Sequence, residues 1–174
     1  LHFRKKTIVS TYRFFVPRKL EREVIVIYHF KPKDFKPTVE MVGCYLEAGG
    51  KILMLLTATT HEMLNGMEWT SPVVQRLDGE ALAAAALRAL RQHVGMTLGS
   101  EQVEGPVTLY WMDGPEDHQI LHSFRARIGY ETQVVLNETQ HLTHLWIRPA
   151  AALVALPLKP GDCEFECIKA VYGL

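Results

Sequence analysis

The sequence predicts an α/β or α+β chain built on a mixed sheet. Three observations carry that reading. An Ala-rich amphipathic segment, Glu80 to Val94, has helical spacing. Runs of β-branched and aromatic residues stand on both sides of it. Turn signals made of Gly, Pro and Asp separate those runs.

The elements follow in chain order. Val24 to Phe30 is β-branched and aromatic and reads as a strand. Lys31 to Pro37 holds two prolines and an Asp and reads as a connector. Thr38 to Glu47 resumes a strand pattern, and Gly49-Gly50 signals a hairpin, since both glycines can take positive φ. Lys51 to Thr57 is the return strand. Its run Ile52 to Leu56 is apolar throughout, which predicts burial on both faces. Thr57 to Glu68 is polar and reads as a loop, and Pro72 ends any regular element before Val73.

Asp78-Gly79 turns the chain into the helix, and Gly95 is its natural stop. Ala83, Ala86, Leu87, Leu90 and Val94 make its expected buried face. Val107 to Met112 and Ile120 to Ile128 read as strands joined around Asp113-Gly114-Pro115. Alternation in the second places Arg125 and Arg127 on one face. Leu142 to Ile147 is a last strand. Pro149 opens a short helix through Ala155, and Asp162 is the expected cap of a helix from about Cys163 to Ala170.

Composition excludes several classes. The 174 residues suit one domain, 48% apolar and 22% charged. Nineteen Lys and Arg balance nineteen Asp and Glu, so net charge gives no global pull toward nucleic acid. No apolar run approaches the length of a membrane helix. Three cysteines, an odd count, argue against a disulfide framework and for a reducing intracellular compartment, mitochondrial matrix or cytoplasm. The sequence opens on Leu1 rather than Met, which implies a segment ahead of it that was cleaved or cut away; a removed targeting peptide is one reading of it, which the sequence leaves open.

Charge is uneven along the chain. Residues 1–36 carry ten Lys or Arg against three acids, and residues 37–174 carry nine against sixteen. Opposite halves can attract across one fold. The basic segment, with Arg4, Lys5, Lys6, Arg13, Arg18 and Lys19 among aromatic residues, is also a candidate contact for a protein partner or for RNA.

Trp69 to Met96 resembles the Nudix hydrolase signature. That pattern runs from a Trp and a Pro through a glycine pair and a Gly-Glu pair. A helix then carries Arg-Glu-Leu-x-Glu-Glu-x-Gly. Trp69, Pro72, Gly79, Glu80, Ala86, Arg88, Leu90, Gly95 and Met96 match it. The hairpin before the box and the Trp146-x-x-Pro149 ending resemble the family's flanks. The resemblance implies an α/β/α sandwich with a mixed sheet over 24–174, with residues 1–23 as an extension.

The departures imply the function. Family glutamates that hold divalent metal against a diphosphate are replaced here by Ala89, Gln92 and His93. The glycine pair is replaced by Val73 and Val74, and a β-branched residue is costly at positive φ. Glu80 remains, with the bracing role the resemblance gives it beside Arg88. The loop that often adds a later acid has Gln140, His141, Thr143 and His144, and a strand end that often carries a phosphate-binding Arg has Thr57. Three carboxylates on one helix face would suit Mg²⁺ or Mn²⁺, whereas an amide and an imidazole do not neutralise a transferring phosphoryl group.

The expected function is therefore a non-catalytic domain serving as a subunit of a protein or ribonucleoprotein assembly, an organellar one among them, with no cofactor. Two alternatives remain. One is a regulatory domain whose groove holds a nucleotide through Arg125 or Arg127. The other is a divergent hydrolase using Mg²⁺ or Mn²⁺ on Glu80, Glu104, Glu116 or Asp117. His118 and His122, on one face of a strand, and His141 and His144 read as surface or structural histidines. Ser71 and Ser123 lack His and Asp partners by spacing, and Cys44 reads as core.

Overall fold

The computed structural model describes residues 8–11, 24–58, 67–113 and 118–174. The strands are β1 (Ile8–Thr11), β2 (Val24–Tyr28), β3 (Val39–Ala48), β4 (Lys51–Ala58), β5 (Met67–Thr70), β6 (Val73–Gln75), β7 (Val103–Asp113), β8 (His118–Ile128) and β9 (His141–Ile147). The helices are α1 (Leu82–Val94), α2 (Pro149–Ala155) and α3 (Cys163–Tyr172).

One mixed sheet runs β1-β2-β7-β8-β3-β4-β5, with β6 beside β3 and β9 beside β4. β3 and β8 are its parallel pair, in register from Val39 opposite Gln119 to Ala48 opposite Ile128. Gly49 and Gly50 both take positive φ, 54° and 76°, which gives the tight β3–β4 hairpin.

The apolar run of β4 divides between two cores. Leu53 and Leu55 point to a cluster with Val42, Cys44, Leu46 and Phe124 under α1. Ile52 and Met54 point to a second cluster with Tyr45, Tyr110 and Ile168 under α2 and α3. All four β4 side chains are fully buried, as a strand covered on both faces requires. Helices thus cover both faces of the sheet, giving the α/β/α sandwich. Tyr110 Oη donates to the Glu166 carbonyl at 2.9 Å and ties β7 to α3.

Several expectations need correction. The 57–68 loop is shorter than expected: β5 starts at Met67 and pairs with β4, while 59–66 lie outside the described residues. Pro72 does end β5 before Val73, as expected, but a further strand, β6, follows at once and pairs with β3 through Val74 opposite Val42. Val73 and Val74 therefore sit in extended backbone, which β-branched residues favour. Among the described residues Asp34 is the non-glycine with positive φ.

The buried face of α1 is also rotated from expectation. It holds Ala85, Ala86, Ala89, Leu90, His93 and Val94, whereas Ala83 and Leu87 are only partly buried. Four consecutive alanines leave the apolar stripe ambiguous, and packing selects the narrow alanine side against β3. β7 begins earlier than expected, at Val103. Its register against β8 shifts between Glu104 and Thr108, around Pro106, which has no N–H for the ladder. Asp162 stands at the N-cap of α3, yet its carboxylate accepts from the Lys159 N–H at 2.8 Å rather than capping the helix.

Candidate functional site

The segment that resembles the Nudix box has two parts. At its start Glu80 and Arg88 form a two-point ion pair. Arg88 Nε reaches Glu80 Oε1 at 2.8 Å and Nη2 reaches Oε2 at 2.7 Å. Both side chains are only 14% exposed. Glu80 also accepts from the Leu77 N–H at 3.0 Å, and Arg88 donates to the Gln75 carbonyl at 2.8 Å. Arg76 joins from β6's end, donating to the Glu80 carbonyl and pairing with Glu40 on β3. The Arg88 hydrogen bonds hold the Glu80 carboxyl at about 2, well below the usual range. Gly79, at positive φ, makes the turn that brings Glu80 back to the helix.

The second part is the helix stretch where the resemblance places metal-holding glutamates. Ala89 is fully buried in the α1-side core and offers no ligand atom. Gln92 is exposed, and its Oε1 accepts from Arg88 Nη1 at 3.2 Å. His93 is buried, with both ring nitrogens engaged. These residues do not fit an Mg²⁺ or Mn²⁺ ion held by carboxylates. Among the described residues, no group of three or more His, Cys, Asp or Glu is placed to hold a metal ion.

His93 meets a partner that sequence spacing does not reveal. Gly95 ends α1 at φ 67°, and a Cβ there would stand 2.9 Å from Val135 Cβ. The following chain returns along the helix end. The Val135 and Asn137 N–H groups take up the Val94 and His93 carbonyls, both at 3.1 Å. The His141 N–H then closes onto the Asn137 carbonyl at 2.9 Å. This path sets His141, at the start of β9, directly against His93.

The proton positions in this chain follow from its ends. The Val73 carbonyl only accepts, so His93 Nε2–H donates to it at 2.8 Å. His93 Nδ1 is then the acceptor for His141 Nε2–H, at 2.7 Å. His141 Nδ1 in turn accepts from the Thr57 hydroxyl at 3.2 Å. Both imidazoles are neutral here. Burial lowers the pKa of His93, and burial with the neighbouring ring pushes His141 down to about 4. The pair lines a cavity of about 280 Å³ together with Thr57, Thr70, Ser71, Val73, Thr139 and Gln140. Among the described residues no charged side chain is in that wall. Glu164, behind Thr70 and Ser71, accepts from Tyr45 Oη at 2.6 Å, and burial raises its pKa.

The other candidates lie elsewhere. Arg125 and Arg127 do share a face, the one covered by α3, where they pair with Glu47 and Glu104. Tyr172 from α3 donates to the same Glu47 at 2.8 Å. That face is opposite to α1. His118 pairs with Asp113 at 2.7 Å, and the His122 ring nitrogens have no hydrogen-bond partner. Cys44 is buried, and burial pushes its thiol up to about 12. Cys163 and Cys167 are free thiols 3.9 Å apart. Arg4, Lys5, Lys6, Arg13, Arg18 and Lys19, and also Glu116 and Asp117, lie outside the described residues.

Solved structures match this arrangement. The fold is that of the Nudix hydrolases. One match is the dihydroneopterin triphosphate pyrophosphohydrolase of E. coli, 18% identical, with 78% of this chain covering 96% of that one at a TM-score of 0.61. Another is a NUDIX hydrolase from Nitrosomonas europaea, 15% identical, with 79% and 90% covered and a TM-score of 0.61. The NUDIX domain of Shewanella oneidensis NrtR, complexed with ADP ribose, is 16% identical, with 83% and 92% covered at the same TM-score. No family model matches the sequence, and no curated protein matches it.

Proposed function

We propose that this chain is a non-catalytic Nudix-like domain and acts as a structural or interaction subunit of a larger protein or ribonucleoprotein assembly. The observation that carries the first half is the fate of the three glutamate positions. One is a buried alanine, one an exposed amide tied to Arg88, and one an imidazole locked between Val73 and His141. Among the described residues no carboxylate lines the cavity beside this pair. A diphosphate there would meet no charged side chain of the described residues. Glu80, the surviving acid of the box, is spent on Arg88.

The second half rests on surface chemistry. Val154 on α2, Leu142 and Leu145 on β9, and Tyr130 and Val135 in the connection before β9 are large apolar side chains open to solvent. Among the described residues β9 pairs with β4 alone, and its other edge carries no described strand. The basic, aromatic segment at residues 1–23 supplies a contact for an acidic protein surface or for RNA. An organellar assembly in a reducing compartment fits the cysteine usage.

The test is affinity purification from the native cell. Recovery in a stoichiometric complex, with protein or RNA partners, is the expected result. A monomer that binds neither protein nor RNA would sink the proposal.

A further inference from the structure

The geometry points to a site for a borderline divalent transition metal, of the Co²⁺, Ni²⁺ or Zn²⁺ class, held between His93 Nδ1 and His141 Nε2. The two nitrogens already face each other at 2.7 Å. Two imidazole nitrogens sharing one such metal, each bonded at about 2.0–2.1 Å, stand roughly 2.9–3.3 Å apart. The rings must part by a few tenths of an ångström and also tilt, because a shared metal lies off the line on which the two nitrogens now face each other. This site is independent of the assembly role, and it differs in both ligands and metal class from a carboxylate-bound Mg²⁺.

The outer nitrogens are arranged as metal-bound histidines require. His93 Nε2 is fixed on the Val73 carbonyl at 2.8 Å, and His141 Nδ1 lies 3.2 Å from Thr57 Oγ1. An oxygen partner on the far nitrogen orients each ring and sets its tautomer. His93 already presents its Nδ1 lone pair. His141 needs one proton moved from Nε2 to Nδ1, and the Thr57 hydroxyl then turns from donor to acceptor. The total proton count of the pair does not change.

The surroundings set the metal class. The remaining coordination positions open into the 280 Å³ cavity, whose wall, among the described residues, offers hydroxyls and an amide but no carboxylate. Imidazole nitrogen suits Zn²⁺, Ni²⁺ and Co²⁺, whereas Mg²⁺ wants charged oxygen. Two protein ligands leave positions for water, so binding is reversible and modest.

Cobalt titration of the full chain tests this, read by visible absorption and calorimetry. One ion per chain is expected, without the sulfur-to-cobalt band that Cys163 and Cys167 would produce. Affinity should fall at least tenfold in His141→Gln and in His93→Gln, and hold in Cys163→Ser. Excess Mg²⁺ should not compete. Histidine-selective NMR of the unmutated chain gives a second readout that needs no variant: cobalt should broaden the His93 and His141 signals first. Absence of saturable binding, binding retained in both histidine variants, binding lost in Cys163→Ser, or broadening confined to other histidines would each overturn the site.

Discussion

The two ends of the α1 segment differ. At the start, Glu80 and Arg88 form a paired, largely buried brace that is also tied to the Leu77 N–H and the Gln75 carbonyl. At the end, Ala89, Gln92 and His93 share nothing with a carboxylate metal site. The brace holds a loop against a helix, a need that comes from the fold itself. The fold stands without carboxylates at 89, 92 and 93. A kept brace beside a helix end with no carboxylate separates what holds the loop from what would hold a metal in this segment.

The sharpest way to break that contrast is to put a carboxylate back. Ala89→Glu buries an ionisable group among Leu46, Leu55 and Leu90, in space sized for a methyl. Chemical denaturation should show a loss of about 3 kcal/mol or more. A neutral outcome would mean that the site still has room for its old ligand. Next in size is the brace. Arg88→Met leaves the Glu80 carboxylate and the Gln75 carbonyl without their main donor, at a cost of about 2 kcal/mol. The brace should also respond to acid. Glu80 titrates lower when folded than its ordinary 4.5, so its contribution is complete above that value and is lost as the pH falls toward 2.

The histidine end should respond in a different window. His141 titrates near 4 in the fold against 6.5 otherwise, and His93 is lowered too. The unfolded chain therefore binds more protons below 6.5, and stability falls from there down to about 4. The loss should be on the order of 2–3 kcal/mol. In the double variant His93→Gln, His141→Gln the stability-against-pH curve should flatten over that range. The smallest effect is expected at Arg127, an exposed partner of Glu47 and Glu104. Arg127→Gln should leave the denaturation midpoint unchanged within error. A clear shift there would give the α3 face a larger share of stability than its exposure implies.

Much of the fold was legible because local signals agreed with packing. The Gly49-Gly50 hairpin, the two-sided burial of β4, Pro149 at the start of α2 and Gly95 at the end of α1 follow from backbone freedom and apolar pattern. The helix face was not legible, because alanines at 83 to 86 leave its stripe undetermined. The site was half legible. Substitution at positions 89, 92 and 93 could be read from the box. The His93–His141 contact could not, because 48 positions separate the two rings. The available signal was coincidence: His93 stands where the resemblance places a glutamate, and His141 lies in the region where it often places a later acid. Arg125 and Arg127 were placed on a common face by alternation, but which face that was depended on how β8 sits against β3 and α3.

The most direct measurement is hydrolysis. The full chain would be incubated with Mg²⁺ or Mn²⁺ and a panel of nucleoside-diphosphate-linked compounds, beside Glu80→Gln. No metal-dependent turnover above the buffer rate is expected from either protein. Turnover that needs the metal and disappears in Glu80→Gln would contradict the loss of the catalytic centre and make this chain a working hydrolase.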